Sequence, residues 1–184
     1  MKRLSTIALT AALGLLLTGC TGTLGGADAL PDALSDGAGA SDAVVSESVP
    51  APKFTAALTD GTVVASEELF TGRVSLVQFM ASWCTQCEEQ SRLVVETAER
   101  YGDDVQVVFV GSDSDDPDDL QAFLRDNASG VPVVIDPDGS IFQRYAVAEP
   151  PVTAVIDAGG GIVRMWPGGA SQEQLDTELD GLLG

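Results

Sequence analysis

Two cysteines three positions apart, Cys84 and Cys87, stand directly behind Trp83 in the stretch FMASWCTQCEEQ, residues 79–90. Such a pair serves three chemistries: part of a metal clip, an inert covalent staple, or two thiols that cycle with a disulfide. A zinc site takes about four ligands, mostly Cys and His. The chain has no histidine and only one further cysteine, Cys20. The same lack removes His-ligated copper, haem and Cys–His nucleophilic catalysis, so no metal and no cofactor is expected. A disulfide across two intervening residues closes a tiny loop, and the entropic gain of a cross-link grows with loop length, so such a bridge staples little. Position favours redox chemistry. The apolar run VSLVQF, 74–79, reads as a buried strand that enters the pair, and a helical pattern leaves it. Cys84 then falls at a helix N-terminus, near unpaired N–H groups and the positive end of the dipole. A thiolate is stabilised there, and the thiolate is the attacking species in disulfide exchange. Cys87 lies a turn along on the apolar stripe, where a thiol ionises poorly. Cys84 is expected to be the nucleophile and Cys87 the resolving thiol.

The elements that must hold this pair are readable around it. KFTAALTDGTVV alternates about Asp60-Gly61, which is hairpin chemistry. Behind the cysteines, Cys87, Ser91, Val94, Val95, Ala98 and Tyr101 fall on one helical stripe. VQVVFVG, 105–111, is a second apolar strand. Asp116 caps a short helix with Pro117 at its first position, and Leu120, Phe123 and Leu124 face inward. VPVVID is a strand ending in the turn Asp136–Gly139. VTAVID and GIVRMW are strands joined across Gly159, Gly160 and Gly161. The last helix starts at Ser171 with Gln174 as its capping-box partner, and Leu175, Leu179, Leu182 and Leu183 form its stripe. Strands alternating with helices indicate an α/β sandwich with a central mixed sheet.

The chain of 184 residues holds one such domain and two extras. Residues 1–20 have a basic start, an apolar run from Ile7 to Leu17 and small residues before Cys20, the layout of a signal peptide. The run is too short for a spanning helix, which needs about 20 apolar residues. Its end, Leu17-Thr18-Gly19-Cys20, resembles the lipobox of bacterial lipoproteins, in which the cysteine is lipidated and begins the mature chain. With Cys20 carrying lipid, Cys84 and Cys87 remain as one pair in an exported protein, where disulfides persist. Residues 21–50 are rich in Gly, Ala, Ser and Asp and contain no aromatic residue. They read as a flexible acidic tether reaching about 30 Å. The folded domain is expected over 51–184. Formal charge is −19, and without Lys2 and Arg3 seven basic residues face 28 acidic ones, a balance of −21. Such a surface repels nucleic acid and anionic headgroups and suits a neutral or basic protein partner.

VSLVQFMASWCTQC resembles the strand-to-active-site segment of thioredoxin-like proteins, and the wider pattern resembles their membrane-tethered TlpA-type branch. The likeness covers about residues 52–184. It takes in the leading hairpin, the run Tyr145-x-Val147-x-x-x-Pro151-x-Thr153, the hairpin from Val155 to Val163, and Gly168 before the last helix. It implies a thioredoxin-like sandwich with a central mixed sheet, flanking helices and an N-terminal β-hairpin extension. It also implies an extracytoplasmic thiol–disulfide oxidoreductase, monomeric and lipid-anchored to the bacterial cell membrane through Cys20. Its partners would be protein thiols and disulfides. Pro151 matches the family's cis-proline, which packs beside the cysteines and helps bind the partner; Pro150 adjoins it, and Trp83 shields one side of the pair.

The departures are specific. Gln86 stands where the family has proline before its second cysteine. Gln78 and Gln90 stand where relatives carry proton-handling carboxylates, while Glu88 and Glu89 directly follow Cys87. These glutamines keep open a thioredoxin-fold binding lipoprotein without turnover. A peroxiredoxin-like peroxidase would need a Thr-x-x-Cys motif, which Ser82 and Met80 do not supply. DSDDPDD, 113–119, lacks the glycine and terminal glutamate of an EF-hand calcium loop and reads as a solvated acidic loop.

Overall fold

The structure, a computed structural model, describes residues 48–184. The signal-like segment, Cys20 and the tether up to residue 47 lie outside the described residues. The elements run β1 (Val49–Pro50), β2 (Thr55–Ala57), β3 (Val63–Ala65), α1 (Ser66–Phe70), β4 (Val74–Met80), α2 (Thr85–Tyr101), β5 (Val105–Gly111), α3 (Pro117–Asn127), β6 (Val133–Ile135), α4 (Ser140–Arg144), β7 (Val152–Ile156), β8 (Gly161–Pro167) and α5 (Gln172–Leu183).

Six strands form one mixed sheet in the order β1-β8-β7-β4-β5-β6. β4 lies inside it, parallel to β5 and antiparallel to β7. All seven of its residues are buried, which is why it reads as an unbroken apolar run rather than an alternation. Successive residues still point to opposite faces. Leu76 and Met80, with Val105, Val107 and Phe109 of β5, pack with Cys84, Cys87, Val94, Leu120, Leu175 and Leu179. Val77 and Phe79, with Val108 and Val110, pack with Phe54, Phe70, Ile141, Phe142 and Tyr145.

The hairpin β2–β3 turns at Asp60-Gly61, where Asp60 Oδ1 accepts from the Thr62 N–H at 2.8 Å and Gly61 takes φ +85°. Asp116 caps α3 by accepting from the Asp118 and Asp119 N–H groups. Ser171 and Gln174 close the capping box of α5. Several features differ from the sequence reading. The sheet begins at Val49, two residues before the expected boundary at 51, because β1 pairs with Ile162 and Gly161 on the edge of β8. α1 and α4 have five residues each, too few to leave a helical periodicity. Leu183 is exposed, so the apolar stripe of α5 ends at Leu182. Among the described residues no helix is long and apolar enough to cross a membrane.

Candidate active site

β4 delivers the cysteine pair to the end of the sheet. Beyond Met80 the chain makes a tight turn through Ala81, Ser82 and Trp83, closed by the Cys84 N–H donating to the Ala81 carbonyl at 3.1 Å. Cys84 is the N-cap residue of α2, with extended backbone and no side-chain cap. Its carbonyl accepts from the Cys87 N–H at 3.0 Å. The two cysteines are joined as a disulfide with Cα atoms 5.3 Å apart, inside the ordinary range for such bonds. Their exposures differ: Cys84 retains 8 % and Cys87 none. Both belong to the same apolar cluster, but Cys84 keeps a small opening to solvent at the positive end of a 17-residue helix, while Cys87 is fully enclosed.

Trp83 is 59 % exposed. It projects outward beside the pair and donates from Nε1 to Ser114 Oγ at 3.1 Å. Pro151 is buried, Pro150 is half-buried, and the bond between them is cis. Val152 pairs with Phe79 across the sheet, so Pro151 stands level with Met80, where β4 runs into the cysteine turn. The Pro151 carbonyl accepts from the Gly168 N–H at 2.8 Å.

Gln78 and Gln90 are both held by neutral partners. Gln78 is fully buried on the cysteine face. Its Oε1 accepts from Thr153 Oγ1 at 2.7 Å and its Nε2 donates to the Phe79 carbonyl at 3.2 Å. Gln90 donates to the Ala170 carbonyl at 3.1 Å and ties α2 to the loop before α5. Gly169, at φ +94°, leaves no room for a Cβ against the Gln90 side chain. Gln86, Glu88 and Glu89 are exposed.

The acidic segment is solvated as expected at Asp113, Asp116, Asp118 and Asp119, and one residue departs. Asp115 turns inward, and its Oδ1 accepts from both the N–H and the hydroxyl of Ser82, at 2.7 and 2.6 Å. Its Oδ2 is buried without a partner. Sequence reasoning missed Asp115, Ser82, Ser114 and Thr153 as parts of this site. The available signal was that two apolar strands, 74–79 and 105–111, end next to the cysteines and the acidic run respectively. Among the described residues no three His, Cys, Asp or Glu side chains gather as a metal cluster.

The Redoxin family model matches residues 45–183. The chain is 27 % identical over 130 residues to thiol-disulfide oxidoreductase ResA of Bacillus thuringiensis subsp. konkukian, covering 70 % of this chain and 74 % of that protein. The solved structure of MTB dsbF in its mixed oxidized and reduced forms superposes with a TM-score of 0.64 at 27 % identity, covering 73 % of this chain and 98 % of that one. The pneumococcal exposed lipoprotein thioredoxin Etrx1 of Streptococcus pneumoniae gives a TM-score of 0.61 at 27 % identity, covering 71 % and 100 %.

Proposed function

The chain belongs to the Redoxin family and is a thiol–disulfide oxidoreductase; on that premise we propose that Cys84 is its nucleophile, Cys87 its resolving thiol, and Trp83 with Pro150 and Pro151 the surface that receives the partner chain. The observation that carries the assignment is the position of Cys84 at a helix N-terminus with a small residual exposure, while Cys87 is fully enclosed a turn along. A thiol at a helix N-terminus ionises more readily than one in apolar surroundings.

In the reducing direction the Cys84 thiolate attacks one sulfur of a partner disulfide. That S–S bond breaks, a mixed disulfide forms, and the partner's other sulfur leaves as a thiolate that takes up a proton. Cys87 then gives up its proton and attacks the Cys84 sulfur. The second partner thiolate departs, and two electrons have passed from the pair to the partner. The same steps reversed oxidise a partner dithiol. Cys87, three residues on in the same helix, needs only a side-chain rotation to reach Cys84.

The protein acts outside the cytoplasm on a lipid anchor at Cys20, with the acidic Gly/Ala/Ser/Asp stretch that follows it as the tether to the folded domain. The signal-like layout of residues 1–20 supports this, as does the likeness to an exposed lipoprotein thioredoxin. Two variants of the full chain test the proposal. Cys87→Ser should accumulate covalent complexes with partner proteins that reductant releases, and Cys84→Ser should accumulate few. Cys20→Ala should free the protein from membranes. A wild type that neither reduces insulin nor oxidises a reduced test protein, with neither variant trapping a partner, would leave a binding lipoprotein without turnover in its place.

A further inference from the structure

Three hydrogen-bonded links stitch the segment between β5 and α3 to the turn that carries Cys84. The Ser112 N–H donates to the Met80 carbonyl at 3.0 Å, Trp83 Nε1 donates to Ser114 Oγ, and Ser82 donates twice to Asp115. Asp115 performs its clamp with one oxygen. A single neutral acceptor would serve the same two donors, so the second oxygen and the charge are surplus to the clamp. That surplus is costly, since a buried charge without a compensating partner is unfavourable. Oδ2 is buried and accepts nothing. The ion pairs among the described residues are Lys53–Glu67, Arg100–Asp176 and Arg164–Glu178, and none reaches Asp115.

The surroundings add no positive charge. The groove beside Trp83 is lined by Glu88 of α2 and by Asp116, Asp119 and Asp126 from the α3 side, without Lys or Arg. Glu89 is exposed just beyond the first turn of α2, and Glu149 is exposed on the proline side. Arg92, a turn beyond Glu88, is exposed and donates from Nε to the Glu88 carbonyl.

We propose that Asp115 is a positioning residue of the redox turn whose negative charge, held against Ser82 two residues before Cys84, biases the cysteine pair towards the disulfide. The proposal rests on the assignment of Cys84 and Cys87 as the exchanging pair. Reduction places negative charge on the Cys84 sulfur as thiolate, whereas the disulfide is neutral. A like charge nearby disfavours the ionised thiol. The dithiol loses that stabilisation, the equilibrium moves to the disulfide, and the pair becomes a stronger reductant of partner proteins.

The test compares the full-length wild type with Asp115→Asn, which keeps an acceptor oxygen for Ser82 and removes the charge. Equilibration with glutathione at pH 7 should shift about threefold to tenfold towards the dithiol in the variant. That corresponds to a potential less negative by ~15–30 mV, at 29.6 mV per tenfold for a two-electron couple. The midpoint pH for alkylation of reduced Cys84 should fall alongside. Asp115→Ser, a smaller neutral acceptor, repeats the comparison if the amide variant does not fold. Ser82→Ala removes one hydrogen bond and keeps the charge, and its equilibrium should stay within about twofold of wild type. An Asp115→Asn potential equal to wild type, with only thermal stability lowered, would overturn the proposal and leave Asp115 as a structural clamp. The glutathione equilibrium needs no protein partner, so it reads Asp115 even if the wild type fails to exchange with other proteins.

Discussion

The two faces of the central sheet are built from alternate residues of the same strands, yet they have different character. One is closed by aromatic rings. Phe79 meets Phe142 edge-on at 5.3 Å between centroids and Tyr145 at 5.2 Å, while Phe54 meets Phe70 at 6.0 Å. The helices that cover it, α1 and α4, have five residues each. The other face is mostly aliphatic and carries the long helix α2. Gln78 and Thr153 point to it from the sheet, and α2 contributes the buried polar residues Gln90, Ser91 and Thr97. The contrast teaches where exchange chemistry fits. Aromatic rings give large apolar burial with fixed geometry but no helix N-terminus at the strand end. The aliphatic face brings a long helix to the end of β4, where its unpaired N–H groups and its dipole act on Cys84.

If the aromatic face serves stability alone, breaking it should leave the redox pair untouched. Phe79→Ala removes a fully buried ring and should lower unfolding free energy by about 3–5 kcal/mol, read from urea denaturation. The glutathione equilibrium of the folded protein should stay within about twofold of wild type. A larger redox shift would break the comparison.

The cysteine face should respond to loss of polar pairing. Gln78→Leu leaves the buried Thr153 hydroxyl without its acceptor, which should cost about 1–3 kcal/mol. Adding Thr153→Val should recover most of that loss, since two apolar partners of similar shape avoid the unsatisfied group. A double variant no more stable than the single would remove the pair from the account of this face.

The smallest effect is expected at the far end of the sheet, in the β7–β8 turn. Burial there pushes the Asp157 carboxyl up, but hydrogen bonds from Ser48 and from the backbone of Gly161, Gly159 and Gly160 outweigh it and hold the carboxyl below its ordinary value near 3.8. A depressed carboxyl stabilises the fold fully above the unfolded value and loses that contribution as pH falls through the folded one. Thermal melts of the wild type should therefore decline below about pH 4, and Asp157→Asn should flatten that part of the profile without moving the redox equilibrium.

Much of this was legible along the chain because local chemistry decides it. The run of β4 into Cys84, the hairpin at Asp60-Gly61, the Asp116 cap and the Ser171–Gln174 box each depend on residues a few positions apart. Elements made by distant neighbours were not legible. β1 is two residues long and exists because the edge of β8 accepts it. α4 is too short for periodicity and starts where buried Asp136 accepts from the Ile141 and Phe142 N–H groups. Asp115 looked like one more solvated acid in an acidic run. Only the parallel register of β4 with β5, which sets Met80 against Gly111, brings it to Ser82 across 33 positions of sequence.

The residue order by itself determined that two thiols follow a buried strand and open an amphipathic helix, since periodicity and spacing are properties of neighbouring residues. Tertiary structure alone decided how buried each cysteine is, which polar groups hold the turn that carries the pair, and that a carboxylate with one unpartnered oxygen clamps Ser82 in that turn. Burial and electrostatic contact depend on which segments meet in space, and the pairing of strands far apart in the chain settles that.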